Sequence, residues 1–248
     1  MKKNISICLA LFLAATCIRV QAQDKKNNTE YSKGFIGING GYSSLMGNIT
    51  KANNYLDNSQ GFAVKGGPVL SLDGAYFFNK HIGAGLVVSI ANYGVAGQNI
   101  LSEGYVEAFA VDEVTMTVGS YKTLNILPAF YYSLPMNNLH IDFRLMVGYS
   151  SLTTPAIKVQ LEDATDTPFI QNKSTGGGLG YGLGAGLRYK FGRHIGAALR
   201  IDYINSKPNV DVTYTNLNNP TEGLFRKVTK YNESIGSVNA SLGLTFNF

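Results

Sequence analysis

The sequence predicts an all-β fold: an eight-stranded antiparallel up-and-down transmembrane β-barrel with short periplasmic turns and long extracellular loops. Apolar and polar residues alternate with a period of two in successive segments, which is the pattern of strands with two different faces. Short and long connections between these segments alternate strictly, as in outer-membrane barrels. Beyond the N-terminal region no segment has the roughly 18 apolar residues of a spanning helix, so the chain could cross a membrane only as a closed barrel.

The N-terminal 22 residues have the features of an export signal. Lys2 and Lys3 form a positive start, residues 5–15 are apolar, and Val20-Gln21-Ala22 offers a small-residue cleavage site. A lipid anchor on Cys17 is the alternative, but the residues before Cys17 fit such a site poorly. We therefore predict a signal peptide at 1–22, a flexible periplasmic lead-in at 23–32 and the outer-membrane barrel domain at 33–248.

Cleavage after residue 22 changes the cysteine content and the charge. Both cysteines, Cys8 and Cys17, leave with the signal, so the mature chain has no disulfide or thiol chemistry. Of 21 basic residues three are also removed, which leaves 18 against 16 acidic residues, a net charge of +2. Nucleic acid is therefore not an expected partner.

Eight segments carry the strand pattern. They run over residues 34–42, 69–78, 82–93, 123–134, 140–149, 179–191, 195–203 and 238–248. In the last one Leu242, Leu244 and Phe246 lie on one face, and Gly243 and Thr245 lie on the other. The fourth contains Pro128, which cannot donate to a strand ladder, and we expect a bulge near the end of that strand to accommodate it.

The connections fall into two classes. Three are short, at residues 79–81, 135–138 and 192–193, and four are long, at residues 43–67, 94–122, 150–175 and 207–230. Inside the long connections, residues 156–162, 209–215 and 225–231 also alternate. We expect these segments to continue the barrel strands as hairpins above the membrane.

The composition of the two faces predicts which one meets lipid. The charged face also carries much of the glycine, and the other face is bulky and aromatic. A barrel of eight strands has an interior just wide enough for side chains, so small and charged residues suit the lumen and bulky apolar residues suit the acyl chains. A soluble, lipocalin-like barrel would require the opposite orientation.

The charges of the inward face nearly balance. Asp73, Asp142 and Asp202 can pair with Arg144, Arg188 and Arg200, and His140 and Lys190 lie near the turns. Buried charges are tolerated when they are paired and hydrogen-bonded. These eight residues therefore predict a network that fills the barrel, with a proton- or ion-conducting path as the alternative.

The sequence combines an alternation of strands with short and long loops, the glycine-rich stretch 176–186, and the ending Leu242-Gly243-Leu244-Thr245-Phe246-Asn247-Phe248. In these features the chain resembles the small outer-membrane β-barrel family. That family includes the transmembrane domain of outer membrane protein A and the PorT-like proteins. The resemblance implies location in the outer membrane, contact with its lipid and lipopolysaccharide, and an assembly signal at Phe246 and Phe248 for the barrel-assembly machinery.

Residues that could carry catalysis or bind a cofactor are few. His81, His140 and His194 are the only histidines, and their scatter fits neither a serine hydrolase triad nor a zinc site. Gly176-Gly177-Gly178-Leu179-Gly180 lacks the Lys-Ser/Thr of a phosphate loop, and Asp163 and Asp166 fall short of a calcium ligand set. We predict no enzyme, no cofactor and no metal.

The primary functional hypothesis is a non-enzymatic outer-membrane protein with a structural or surface-interaction role through its extracellular loops. We expect four tyrosines in those loops to be exposed, which is compatible with recognition of a partner that the sequence does not identify and equally with packing of the loops: Tyr55, Tyr105, Tyr214 and Tyr231. A narrow channel or carrier for small or hydrophobic solutes, an accessory component of a secretion system, and a lipid-modifying enzyme are the alternatives.

Overall fold

The computed structural model describes residues 32–50, 63–161, 169–216, 225–232 and 234–248. The predicted signal peptide and all but the last residue of the lead-in lie outside these ranges. In chain order the strands are β1 Gly34–Gly47, β2 Gly66–Phe77, β3 Ile82–Tyr93, β4 Val114–Val118, β5 Tyr121–Met136, β6 Leu139–Thr154, β7 Ile157–Leu161, β8 Phe169–Gln171, β9 Ser174–Lys190, β10 Ile195–Ser206, β11 Val210–Asn216, β12 Phe225–Tyr231 and β13 Ile235–Asn247. Helix α1 spans Gln98–Phe109, and a 3₁₀-helix spans Asn48–Thr50.

Eight of these strands form a closed antiparallel barrel, which confirms the predicted fold class. Around the barrel the order is β1-β13-β10-β9-β6-β5-β3-β2. The first and last strands meet at a seam where Phe35 is opposite Asn247. Gly34 N donates to Phe248 O at 2.9 Å, and Phe248 N donates to Gly34 O at 3.0 Å. The seam therefore leaves no open edge between β1 and β13, as a barrel in hydrocarbon requires.

The strands reach further toward the long loops than the pattern predicted. β6 continues to Thr154 and β9 begins at Ser174, where Ser174 pairs with Thr154. We call this end of the barrel the loop end and the other end, with the three short connections, the turn end. In the described part of the chain no helix has the length and apolar character that crossing a membrane requires.

Pro128 sits within β5 without the expected bulge, so that expectation is wrong. Ile126 is opposite Tyr149 of β6, and three residues later Ala129 is opposite Met146, so no extra residue is inserted. The Pro128 ring points outward beside Gly148, where an added Cβ would lie 2.9 Å from Pro128 Cδ. The missing side chain of Gly148 makes room for the proline ring, which the sequence pattern did not indicate.

The outer surface of the barrel is apolar, as predicted for a face in contact with lipid. Leu242, Leu244 and Phe246 of β13 are 65%, 61% and 53% exposed, while Ser241 and Thr245, on the other face of the strand, are buried. The same alternation holds on β6, β9 and β10. So much exposed aliphatic and aromatic surface is stable only in an apolar solvent.

The lumen contains more bulky apolar residues than the sequence predicted. A buried cluster joins Phe35, Ala75, Phe77, Val87, Leu127, Ala129, Tyr131, Met146 and Ile204. Several of these inward residues have bulky neighbours on the outward face, as Phe35 has Ile36, so size alone could not assign them to a face. The lumen is therefore filled by an apolar cluster as well as by charges.

The long loops build a second sheet. Its strand order is β12-β11-β8-β7-β4, with every neighbouring pair antiparallel, and we call it the loop sheet. The segments predicted as strands at 156–162, 209–215 and 225–231 are strands, and they continue the barrel strands as hairpins, as expected. The β7–β8 pair keeps the register of β6–β9, and the β11–β12 pair keeps the register of β10–β13. The pattern did not predict that β4 pairs with β7 and that β8 pairs with β11, which joins the hairpins into one sheet.

Two apolar clusters hold the loop sheet and the loop end together. Ile157, Val159 and Phe169 are buried, with Val114, Met116 and Val118 of β4 packed against them. A larger cluster joins loop-end barrel residues such as Leu45, Tyr93 and Leu152 to Val210, Val212 and Tyr231 of the loop sheet. This second cluster covers the loop end of the lumen.

Candidate functional site

The lumen holds a central ion cluster formed by Asp73, Arg144, Arg200 and Asp202. Arg144 donates to Asp202 through Nε at 2.7 Å and Nη2 at 2.6 Å, and Nη1 donates to Asp73 Oδ2 at 3.0 Å. The Arg144 side chain is 3% exposed. This two-pronged geometry is the strongest form of an arginine–carboxylate pair.

Glycine on β9 makes the central cluster possible. Arg144 of β6 and Asp202 of β10 are both opposite Gly184, which lies on the strand between them. A Cβ at Gly184 would come within 2.7 Å of Arg144 Nε and would collide with the Asp202 carboxylate. The two side chains therefore meet across a strand that has no side chain at that position.

Asp73 collects most of the remaining contacts. Asn39 Nδ2 donates to its Oδ1 at 2.8 Å, and Tyr131 Oη donates to its Oδ2 at 3.4 Å. Arg200 Nη2 lies 2.8 Å from the same Oδ2, although its angle is unsuited to a hydrogen bond. Arg200 is thus held to Asp73 by charge more than by a directional bond.

A turn-side ion cluster is formed by Asp142 and Arg188. Arg188 Nε donates to Asp142 Oδ2 at 3.0 Å, and its Nη1 donates to Asn247 Oδ1 at 2.9 Å. Ser133 Oγ donates to Asp142 Oδ1 at 2.6 Å. The arginine therefore joins β6, β9 and β13 near the turn end of the seam.

The last two residues assigned to the network from the sequence lie at its edge. Lys190 Nζ donates to Ser32 Oγ at 2.7 Å, just before β1 begins. His140 is buried, and its Nε2 has no hydrogen-bond partner within the described residues. Neither side chain extends the two ion clusters.

Polar residues toward the loop end were not singled out from the sequence. Ser43 Oγ donates to Asn239 Oδ1 at 2.5 Å and lies 2.7 Å from Tyr93 Oη. Asn125 bonds Ser89 and Ser150 at 3.1 and 2.7 Å. Neutral residues of this kind are common in loops as well, so only their place on the inward phase of a strand could have identified them.

The lumen geometry does not assemble a hydrolase site from the described residues. Ser133 donates to Asp142, not to His140, so no histidine is placed to take its proton. His81 and His194 lie at two different turns. Within the ranges that the structure describes, no three His, Cys, Asp or Glu residues are grouped as a metal site.

One of the four loop tyrosines is not exposed as the sequence suggested. Tyr231 is only 4% exposed and packs in the cluster that covers the loop end, so its assignment as an exposed residue is wrong. Tyr55 and the side chains of Tyr105 and Tyr214 lie outside the described part of the chain. Phe246 and Phe248, the predicted assembly signal, face outward at 53% and 49% exposure. Their recognition by assembly machinery stays a prediction.

Comparison with known proteins identifies the family. The family described as "Outer membrane protein beta-barrel domain" matches residues 8–248. Among solved structures, a major outer membrane protein from Thermus thermophilus is 12% identical, with 87% of this chain and 98% of that chain covered and a TM-score of 0.50. The outer membrane protein OprG from Pseudomonas aeruginosa is 16% identical, over 88% and 97% of the two chains, with a TM-score of 0.44.

An enzyme is also among the similar structures. The outer membrane protease OmpT from Escherichia coli is 11% identical, over 91% of this chain and 99% of that chain, with a TM-score of 0.44. At these identities a likeness concerns the fold alone. No curated protein matches the chain in sequence.

Proposed function

Because the chain belongs to the outer membrane protein β-barrel domain family and lies in the outer membrane, we propose that it acts without catalysis, as a closed anchor that presents the loop sheet to a partner protein outside the cell. In such barrels the short turns are periplasmic and the long loops extracellular. The loop sheet is the observation that carries this proposal. It draws five strands from three of the four long loops into one ordered surface.

The order of the loop sheet supports a recognition role. Val159 of β7 is fully buried, and Phe169 and Ile157 pack beside it. Long loops that are ordered are commonly functional.

The edges of the loop sheet suit a protein partner. β4 and β12 are its outer strands, and an outer strand can accept an extended segment of another chain through backbone hydrogen bonds. Val228 on β12 is 53% exposed. We therefore place the contact at the β12 edge.

The filled lumen supports the part of the proposal that excludes transport and catalysis. Two ion clusters and an apolar cluster occupy the interior, and the larger apolar cluster covers the loop end. A solute path would require several of these buried contacts to open together. An enzyme would require a reactive group in reach of substrate, and Ser133 is 2% exposed.

Site-specific cross-linking on intact cells tests the recognition role. A photo-reactive residue at Val228 should give a discrete adduct with one partner, and the same residue at lipid-facing Leu199 should not. Val159→Asp, which puts a charge into the apolar cluster of the loop sheet, should abolish the adduct. The barrel of this variant should still be folded, so that its unboiled and boiled samples migrate differently on gels. Thr117→Asp adds the same charge at an exposed site of β4 and serves as the control.

Two results would reject the proposal. An adduct at Val228 that persists in the Val159→Asp protein would show that the loop sheet is not the binding surface. Altered lipid A in cells that overproduce the protein, abolished by His140→Ala, would show that it is an enzyme.

A further inference from the structure

Two of the three turns at the turn end have the same construction. The β2–β3 turn lies between Phe77 and Ile82, and the β9–β10 turn lies between Lys190 and Ile195. Each has an exposed cation followed directly by a histidine, Lys80-His81 in the first and Arg193-His194 in the second. The third turn, at Asn137-Asn138, has neither.

The histidine of the first turn is fixed on the neighbouring strand β5. His81 Nδ1 lies 2.9 Å from Ser133 O, and the His81 carbonyl accepts from Ser133 N at 2.7 Å. The ring stacks on Tyr132 with centroids 6.0 Å apart and an interplanar angle of 27°. Since a carbonyl oxygen only accepts, Nδ1 carries the proton in this contact.

The second turn repeats this arrangement on β13. His194 Nδ1 lies 3.1 Å from Asn247 O, and the His194 carbonyl accepts from Asn247 N at 2.6 Å. The ring stacks on Phe246 at 5.5 Å and 14°. The two histidines thus make the same three contacts with unrelated strands.

An exposed pair of aromatic rings precedes each turn. Tyr76 and Phe78 meet edge to face at 6.0 Å, and Tyr189 and Phe191 meet edge to face at 5.5 Å. All four side chains are about half exposed or more on the outer surface. Exposed aromatic rings near the ends of membrane strands mark the level of the lipid headgroups.

The two turns lie on opposite sides of the barrel. In the order β1-β13-β10-β9-β6-β5-β3-β2, the β9–β10 and β2–β3 connections are separated by half of the circumference. Any ligand that they share would therefore be bound twice, at sites too far apart for one small molecule to bridge.

We propose that each of these turns binds the phosphate of one phospholipid in the periplasmic leaflet, so that the barrel holds two such lipids on opposite sides. The cation follows the aromatic pair by only two residues, within the bend of the turn, so it lies close to the level of the rings. Lys80 and Arg193 bind the phosphate by charge and hydrogen bonding. The acyl chains lie against the apolar outer surface.

The histidines are positioning residues in this proposal. Because each ring is stacked on an outward aromatic side chain and bonded to a strand carbonyl, the turn cannot swing away from the barrel wall. The preceding cation is then kept beside the barrel wall, within reach of the lipid headgroups. This arrangement distinguishes the two turns from a surface lysine on a free loop.

Lipid retention by the full mature protein tests the proposal. The protein is reconstituted with phosphatidylglycerol in a phosphatidylcholine bilayer, extracted into mild detergent, and the bound lipids are counted by native mass spectrometry. The wild type should retain two phosphatidylglycerol molecules. Lys80→Gln and Arg193→Gln should each retain one, and the double variant should retain none.

Further variants test whether lipid retention depends on the two turns or only on exposed positive charge. Lys207→Gln at the loop end, where the lysine is also exposed, should still retain two lipids. Asn137→Lys puts a cation on the third turn, which lacks the stacked histidine, and should not add a third lipid. His81→Ala should lose one lipid, and His81→Asn, whose amide can still donate to Ser133 O, should recover it.

Several outcomes of the lipid measurement would reject the proposal. Equal retention by the wild type and the double variant, or a third lipid on Asn137→Lys, would overturn the proposal. Loss of both lipids from either single variant would show that the turns are not independent sites. Displacement of the lipids by inorganic phosphate at equal concentration would assign the turns to a soluble phosphate ligand and reject a lipid site.

Discussion

The guanidinium carbon of Arg188 lies 4.2 Å from the centre of the Phe35 ring, which has no exposed surface. The guanidinium carbon of Arg200 lies 5.1 Å from the same ring. Since Arg188 belongs to the turn-side ion cluster and Arg200 to the central one, Phe35 is the contact that joins the two. A phenylalanine that packs against two buried cations stabilises both by its ring electrons.

Phe35→Leu should therefore lower the free energy of unfolding by about 1 to 3 kcal/mol, from the lost cation–π contacts and the smaller packed volume. The measurement is a urea titration of the protein in lipid vesicles, with the folded fraction taken from gel mobility without boiling. Phe130→Leu makes the same change on the lipid-facing surface of β5 and should lower the free energy of unfolding by less. Equal losses for the two variants would contradict a special role of Phe35.

Arg144→Met should lower the free energy of unfolding more than Phe35→Leu does. The change leaves Arg200 as the remaining cation of the central cluster for both Asp202 and Asp73. Removing one partner of a buried ion pair costs about 3 to 5 kcal/mol. The same titration should show that adding Asp202→Asn to Arg144→Met recovers part of this loss, since the second change removes the uncompensated charge. Additive losses in the double variant would mean that the two residues do not interact.

Gly148→Ala should destabilise the barrel through Pro128. The new Cβ would lie 2.9 Å from Pro128 Cδ and would collide with the Ile126 carbonyl. Overpacking of this kind costs about 1 to 3 kcal/mol. Gly40→Ala is the control, because a Cβ there meets no atom within 4 Å. If both variants have the same urea midpoint of unfolding as the wild type, the missing side chain of Gly148 is not needed to accommodate the Pro128 ring.

The wild-type protein should give no steady ionic conductance in planar bilayers, because the lumen is occupied by paired charges and apolar side chains. A large outer-membrane pore measured on the same membranes shows that a current would be detected. Stable unitary conductance of the pure protein would reject the closed lumen and restore the channel hypothesis.

The barrel strands could be predicted because a lipid-facing surface enforces a period of two, as Leu242, Leu244 and Phe246 illustrate. The start of β9 could not be predicted, since Gly176 to Gly178 have no side chains to carry a pattern. The bulky lumen residues Phe35 and Tyr131 were missed because alternation by size fails where both faces of a strand are bulky. The predicted signal peptide at 1–22 stays a prediction.

The candidate residues of the lumen were selected from the sequence by charge and phase, but their partners were not. Arg144 reaches Asp202 only because Gly184 lies between them, and that relationship depends on the strand register. Of the loop sheet, β7, β11 and β12 were predicted, and β4 and β8 were not. β4 pairs with β7 above the β5–β6 hairpin, so the two partners are about 40 positions apart and no local pattern predicts the contact.

The seam between β1 and β13 has a kinetic consequence. Ser43 on one side bonds Asn239 on the other, 196 positions further along the chain. Contacts between such distant positions form slowly, because a long loop must be closed before they contribute. Until β13 arrives, the exposed edge of β1 can pair with a strand of another molecule, so the interval before closure is when the protein most needs a chaperone.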